Sequence, residues 1–289
     1  MPEGHTIHAL AARLNRTLGG EAISVSSPQG RFASDAAVID GRRLDQASAR
    51  GKHLFLDFDD LTLHVHLGLI GTFHVKPRDP LGPAGTPARL QLEGRRYVAE
   101  LRGPMICALV DEPTRAAVLA KLGPDPLHAP DVPSGSERGW ERISMSRKTI
   151  AELLMDQAVV AGVGNVYRCE VLFRHRIDPF TRGRDLGRRL WDDVWEDLVT
   201  LLPLGMAFSQ ILTMQDQVAA AAEMVADGSS LAITETLSGE RLGDHFDRRF
   251  HTYKRTGEAC DRCGRRIRAE LIGGRTLYWC PGCQRRRKR

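Results

Sequence analysis

The chain has 289 residues, of which 27% are charged and 42% hydrophobic, the make-up of a folded globular protein and not of a disordered or fibrous one. Its net charge is +5, but between Glu240 and Arg289 there are 15 Lys and Arg against 6 Asp and Glu, leaving 26 against 30 before them. No run of 18 apolar residues occurs and the start, MPEGHTIHAL, has no basic segment followed by an apolar one, so neither a membrane span nor a secretory signal is expected. The six cysteines are too few for a disulfide scaffold of this length.

In chain order, Ile7, Leu10, Ala11 and Leu14 recur at helical spacing and predict one amphipathic helix within residues 1–20. From Ser24 to Glu100 the period drops to two. His53–Phe58 reads as a strand, Asp59-Asp60 as its turn, and Leu61, Leu63, Val65 and Leu67 as one face of the next strand, with Thr62, His64 and His66 on the other. Further strands are expected at Arg89–Tyr97 and Val98–Leu101, with a loop at Asp79–Thr86. These repeated short strands suit a pair of packed sheets.

Residues 122–139, rich in Pro and Gly, read as a linker. Helix is expected from Ser144, with a capping box of Thr149 and Glu152 and one face made by Ile150, Leu153, Leu154, Gln157 and Ala158. Ala161-Gly162-Val163-Gly164 breaks it, and Asn165 starts a second helix. Two more helical patterns follow at about 183–201 and 206–227. The boundaries are then 1–122 for the sheet domain, 123–143 for the linker, 144–240 for the helical domain and 241–289 for a terminal segment of short strands with a basic tail.

That terminal segment carries Cys260-x2-Cys263 and Cys280-x2-Cys283, sixteen residues apart. Four thiolates at this spacing match one structural Zn2+, and the ribbon-like strands Ile267–Ile272 and Arg275–Trp279 favour zinc over an iron–sulfur centre. Four protein ligands leave no open position, so the ion is scaffolding and catalysis lies elsewhere. Cys107 and Cys169 read as small buried hydrophobes. Gly273-Gly274-Arg275-Thr276 is a hairpin turn that holds Arg275 near its tip, either as a solvent-facing turn residue or as a phosphate grip. A basic segment built around four cysteines points to nucleic acid more than to a solubilising tail.

The start Pro2-Glu3-Gly4, the Gly162-Val163-Gly164-Asn165 junction and the four-cysteine finger with Gly274-Arg275 occur in one order. With these motifs the chain resembles the bacterial formamidopyrimidine-DNA glycosylase and endonuclease VIII family over about residues 2–284. The Pro-Glu-Gly-His start is similar to that of the second endonuclease VIII-like type of actinobacteria. The resemblance implies a multidomain α+β protein: an N-terminal two-sheet β-sandwich with an N-terminal helix, a helix–two-turn–helix DNA-binding domain and a C-terminal zinc finger.

It also implies a chemistry. Removal of Met1 gives Pro2 a free secondary amine, and an α-amine with a reference pKa of about 7.7–8.0 is partly neutral near pH 7. That amine attacks C1′ of the damaged nucleotide to form a Schiff base, with Glu3 as proton donor to the sugar and Lys52, after Gly51, at the phosphate. Asn165 and Arg275 grip the DNA backbone, and Lys254 and Arg255 add phosphate contacts. Gly68, Leu69 and Ile70 align with the family's three-residue wedge, in which Leu69 or Ile70 fills the space of the flipped nucleotide; His66 supports this loop or contacts phosphate. Gln157 orients the glycine junction. Where better known relatives carry a second acid near the start, this chain has Thr6, preceded by His5.

The function so implied is a bifunctional DNA glycosylase and AP lyase for oxidised bases, pyrimidines before purines, ending in β- or β,δ-elimination. The implied partner is damaged DNA, met by a monomer in the cytoplasm of a bacterium, at the nucleoid. A formamidopyrimidine or oxidised-purine glycosylase, a predominant AP lyase and a non-catalytic damaged-DNA binder are the alternatives. The last would not need Pro2 or Glu3. A zinc-ribbon transcription factor leaves two thirds of the chain unexplained.

Overall fold

The computed structural model describes residues 2–79, 87–131, 135–228 and 245–285. The expected loop at 80–86, the boundary near 240 and the basic tail from residue 286 lie outside them. The chain divides into two compact units, the first ending at Ala120 and the second beginning at Lys121.

The first unit opens with α1 (Gly4–Leu18), whose buried residues Ile7, Leu10, Ala11, Leu14 and Leu18 follow the helical spacing of the sequence. Two four-stranded antiparallel sheets follow. One has β2 (Gln46–Arg50), β3 (His53–Phe58), β4 (Leu61–His66) and β8 (Ile106–Val110) in the order β2-β3-β4-β8. The other contains β1 (Ser24–Ser26), β5 (Thr72–Pro77), β6 (Leu90–Glu93) and β7 (Tyr97–Arg102) in the order β1-β6-β7-β5. Leu54, Leu56, Phe58, Leu63 and Val65 of the first sheet share one core with Phe73, Val75, Leu90, Leu92, Ala99 and Leu101 of the second and with α1. Period-2 alternation thus buries one face of each sheet. The architecture is the expected sandwich, with two short helices that the periodicity does not announce, α2 (Ala33–Ile39) and α3 (Glu112–Ala120).

The second unit is helical, with a terminal hairpin. Within the stretch expected to be linker runs α4 (Gly135–Ser144). Its glycines, read as loop punctuation, are there for close approach: a Cβ on Gly135 would lie 2.5 Å from the Trp195 ring and one on Gly139 2.5 Å from that of Trp191. The Trp191 indole N–H donates to the Ser136 carbonyl at 2.8 Å. The helix expected from Ser144 shrinks to α5 (Ile150–Leu153), opened by the Thr149–Glu152 capping box.

The second helix, α6 (Asn165–Arg174), starts where expected. It is followed by α7 (Arg188–Phe208) and α8 (Gln215–Ala226). The break expected between 201 and 206 is absent. Instead α7 runs through Pro203 and ends at Ser209 in the left-handed region, because buried Leu201, Leu202, Leu204 and Phe208 repay the lost backbone bond. The hairpin of β9 (Arg268–Ile272) and β10 (Arg275–Trp279) turns on Gly273-Gly274, both with positive φ, as a two-residue turn matched to strand twist requires. Leu277 of β10 lies in the same core as Tyr167, Leu172 and Trp191.

Candidate functional site

In the first unit Pro2 is half-buried just ahead of α1, and Glu3 is its N-cap residue in extended conformation, fully buried. The Glu3 carbonyl accepts from the Thr6 and Ile7 amides at 3.0 and 3.4 Å, which fixes the direction in which the chain enters the helix. Burial first, then the charge of the chain's terminal amine and of His8, holds the His5 imidazole down to about 3. His5 is therefore neutral and does not replace the carboxylate absent at Thr6, whose hydroxyl is 3.2 Å from its Nε2.

Gly51 (φ 56°) and Lys52 form the two-residue turn between β2 and β3, so Lys52 is held at a hairpin tip, half-buried. Pairing of His53 with His66 and of Phe55 with His64 puts four rings on the face of this sheet away from the sandwich core. His53 Nδ1 lies 2.8 Å from His64 Nε2, and the His53 ring is centred 4.8 Å from that of His66. Burial, then the neighbouring histidines, lowers His53 to about 3 and His64 to about 4; burial and Lys52 lower His66.

Beyond His66 the chain turns through Gly68 (φ 68°), whose amide donates to His66 Nδ1 at 3.2 Å. Leu69 and Ile70 are 48% and 84% exposed. Met105, not singled out in the sequence, is 67% exposed and covers Gly68, where a Cβ would come within 3.1 Å of the Met105 side chain. Its amide donates to the His66 carbonyl, so two separate turns present three apolar side chains together. The missed signal was the Gly103-Pro104-Met105 turn between two strands.

In the second unit the Gln157 amide orders the glycine junction as expected, donating to the Val163 carbonyl at 3.0 Å while its Oε1 accepts from the Gly162 amide at 3.0 Å. Asn165, at the first turn of α6, is buried. Its Nδ2 donates to the Thr276 carbonyl at 2.8 Å, and its Oδ1 accepts from the buried Arg168. Arg168 also reaches the Arg275 carbonyl at 3.4 Å. Much of the Asn165 amide is thus spent tying α6 to the hairpin. Arg275 itself opens β10 and donates from Nη1 to the Gly274 carbonyl at 3.0 Å.

The expectation for Arg255 needs correction. Its guanidinium is consumed internally, by Glu258 at 2.8 Å, Asp261 at 2.7 and 2.9 Å, and the carbonyls of Phe250, His251 and Ala259. This arginine holds the entry to the finger together and has no donor to spare for a phosphate. Lys254 is exposed, with its ammonium 5.8 Å from the centre of the Tyr253 ring. One residue found only in the structure organises this region. Buried Glu170 of α6 accepts the amides of His251, Thr252 and Tyr253 at 2.8, 2.8 and 3.0 Å and the hydroxyls of Thr213 and Thr252.

Cys260, Cys263, Cys280 and Cys283 converge, with all four Sγ within 4.8 Å of one another. The Cys260–Cys283 and Cys263–Cys280 pairs are 3.8 and 3.4 Å apart. Tetrahedral zinc with Zn–S of about 2.3 Å separates its sulfurs by about 3.8 Å, so the cluster fits that ion. Gln284 closes the site by accepting the Cys280 amide at 2.8 Å and donating to the Ile177 carbonyl.

A sandwich unit followed by a helical unit with a four-cysteine hairpin defines a class of multidomain zinc-finger proteins, and comparison with known proteins narrows it. Residues 1–102 match the formamidopyrimidine-DNA glycosylase N-terminal domain, 122–216 the H2TH domain of the same proteins, and 257–286 a zinc finger found in FPG and IleRS. The chain is 44% identical to endonuclease 8 1 of Mycobacterium tuberculosis, over 98% of this chain and 100% of that one. It is 30% identical to the formamidopyrimidine-DNA glycosylase of Thermus thermophilus over 98% of each. Lactococcus lactis Fpg, solved in complex with DNA containing an abasic site, shares the fold with a TM-score of 0.74 at 20% identity, covering 98% of this chain and 100% of that one. The chain belongs to the formamidopyrimidine-DNA glycosylase and endonuclease VIII family. The mycobacterial relatives carry the designation 1, whereas the start resembled the second type.

Proposed function

We propose that this protein is a bifunctional DNA glycosylase and AP lyase that removes oxidised bases, pyrimidines foremost, through a Schiff base on Pro2. The observation that carries the reading is the Pro2-Glu3 pair at the head of α1, with Glu3 buried, in a chain 44% identical end to end with proteins called endonuclease 8. Once Met1 is removed, the Pro2 nitrogen gives its lone pair to C1′, and the base leaves with the electrons of the glycosidic bond and takes up the proton that the amine sheds. Glu3 delivers a proton to the ring oxygen as the sugar opens, which leaves an iminium at C1′. Loss of a C2′ proton expels the 3′ phosphate, and a second elimination expels the 5′ phosphate. Water then hydrolyses the imine and restores Pro2.

The remaining residues hold the substrate. Lys52 and the His66 imidazole meet phosphate in the first unit, and Arg275 and Lys254 in the second. Asn165 meets the DNA backbone around the lesion from the first turn of α6, the end of the helix whose dipole favours an anion. Leu69, Ile70 and Met105 fill the gap left by the flipped nucleotide, at an unstacking cost of a few kcal/mol. One structural Zn2+ holds the finger through Cys260, Cys263, Cys280 and Cys283. The protein acts as a monomer in the bacterial cytoplasm, at the nucleoid. No helix among the described residues is long and apolar enough to cross a membrane. The 30% identity to formamidopyrimidine-DNA glycosylases supports a second reading in which formamidopyrimidines are also excised.

Borohydride present during reaction should trap a covalent adduct on the N-terminal peptide. A protein with an intact N-terminal tag, whose Pro2 nitrogen is an amide, should give none at that site while keeping one zinc per chain and its affinity for abasic DNA. Full turnover by the tagged protein would exclude Pro2 and direct the search to Lys52.

A further inference from the structure

His53, His64 and His66 cluster on one face of the β2-β3-β4-β8 sheet, where the sequence motif supplies His66 alone. The His66 Nδ1 accepts the Gly68 amide, so in the neutral ring the proton is on Nε2. That tautomer does two things at once. It anchors the turn that presents Leu69 and Ile70, and it leaves an N–H donor on the far side of the ring. A proton on Nδ1 would abolish the first, because the Gly68 N–H would face another N–H. The ring is walled by His53 at 4.8 Å, and the orientation of His53 is fixed by the 2.8 Å contact of its Nδ1 with His64 Nε2. His64 in turn is buried and lies flat on Phe55, with ring centres 4.8 Å apart and planes 16° apart, and Arg115 covers Phe55 at 5.3 Å.

We infer that His53 and His64 are positioning residues that hold His66 as the Nε2–H tautomer, so that one imidazole both anchors the apolar turn and donates to a phosphate of damaged DNA. The inference rests on the proposed function for the phosphate and on the geometry of the first unit for the relay. Neither His53 nor His64 needs to touch DNA. The relay works by stacking and one hydrogen bond, from a buried strand residue outward to the loop.

Two measurements test it. In protein labelled with 15N at histidine, long-range 1H–15N spectra at pH 7.5 should report His66 as the neutral Nε2–H form, and His64→Phe should convert it to a mixture of tautomers. Phenylalanine keeps the stack on Phe55 and removes only the nitrogen. His64→Gln, which retains a polar terminus, should recover most of the wild-type signal. This measurement needs no DNA. A His66 ring in the Nδ1–H form, or an unchanged tautomer in His64→Phe, overturns the relay.

The second measurement is a double-mutant cycle on affinity for a duplex holding a reduced abasic site. His66→Ala should weaken binding about tenfold, the worth of a hydrogen bond to a charged group. His64→Phe should weaken it by a similar factor, and the pair together should be no worse than His66→Ala alone. Additive losses would mean that His64 acts elsewhere and would overturn the inference. If His64→Phe does not fold, His53→Asn breaks the same link from the other end and is held to the same two outcomes. Wild-type protein that binds damaged and undamaged duplex equally would sink the proposed function while leaving the tautomer result standing.

Discussion

At the turns after β4 and before β8, Leu69, Ile70 and Met105 keep their side chains in solvent, whereas at the junction of α6 with the β9–β10 hairpin the polar side chains face inward. The first arrangement exposes apolar surface that folding ordinarily removes from water, at about 25 cal/mol per Å2. The second buries amide, guanidinium and carboxylate groups, which is tolerable only because each meets a partner. The contrast teaches that exposure and burial here run against residue type for opposite reasons. Under the proposed function the apolar side chains are held ready for DNA, and the polar junction is a fastening within the protein.

Substitutions separate the two. The largest effect is expected for Glu170→Ala, which strands the amides of His251, Thr252 and Tyr253 and two hydroxyls. Each buried donor left without an acceptor costs about 1–3 kcal/mol, so chemical denaturation should show a loss of at least about 3 kcal/mol. Stability within about 0.5 kcal/mol of wild type would show that water replaces the carboxylate, and the fastening would be weaker than drawn. Leu69→Ala, Ile70→Ala and Met105→Ala combined should leave stability within that margin. They should instead slow excision from paired duplex far more than cleavage of a single-stranded abasic site, and equal losses on both substrates would return these residues to the fold.

The two arginines of the second unit give a finer version of the same test. Arg275→Ala should keep zinc and stability but lower the slope of log affinity against log salt by about 0.9, the loss of one phosphate contact. Arg255→Ala should leave the slope alone and cost about 2 kcal/mol of stability, because Asp261 and three carbonyls lose their donor. The reverse pattern would exchange their roles.

Much of this was legible in the sequence. Strand His53–Phe58, the Thr149–Glu152 capping box, the Asn165 helix start and the four cysteines are set by local periodicity, spacing and caps, and local signals are what a sequence displays. The misses have one cause. Gly135 and Gly139 look like loop residues until the rings of Trp195 and Trp191, more than fifty residues away, show that they make room. Pro203 looks like a helix end until the buried leucines around it are seen. Arg255 looks like a phosphate ligand because a charge announces itself in sequence while its partners at 250–261 do not. Met105 had only the Gly103-Pro104 turn before it as a signal, and Glu170 had none, since its role depends on contacts that only the fold creates.

The smallest effect concerns acid. His53 and His64 are held far below the ordinary histidine value of 6.5, at about 3 and about 4. The unfolded chain therefore takes up protons first as pH falls. The stability these residues contribute is intact above pH 6.5 and is lost progressively below it, down toward their folded values. The melting temperature should fall more steeply between pH 6.5 and 4 in wild type than in His64→Phe. Parallel profiles would show that the stack does not govern acid sensitivity.

The two ties of α6 have a bearing on exchange of parts. Asn165 at its first turn holds the Thr276 carbonyl, and Glu170 one and a half turns later holds the segment entering the finger. A finger borrowed from another protein would bring its cysteines and its metal, yet would find a carboxylate, an amide and an arginine waiting for backbone positions it does not supply. The portable piece is accordingly larger than the zinc-binding hairpin. It begins at the glycine junction before Asn165, and a graft that respects that boundary carries its own lock.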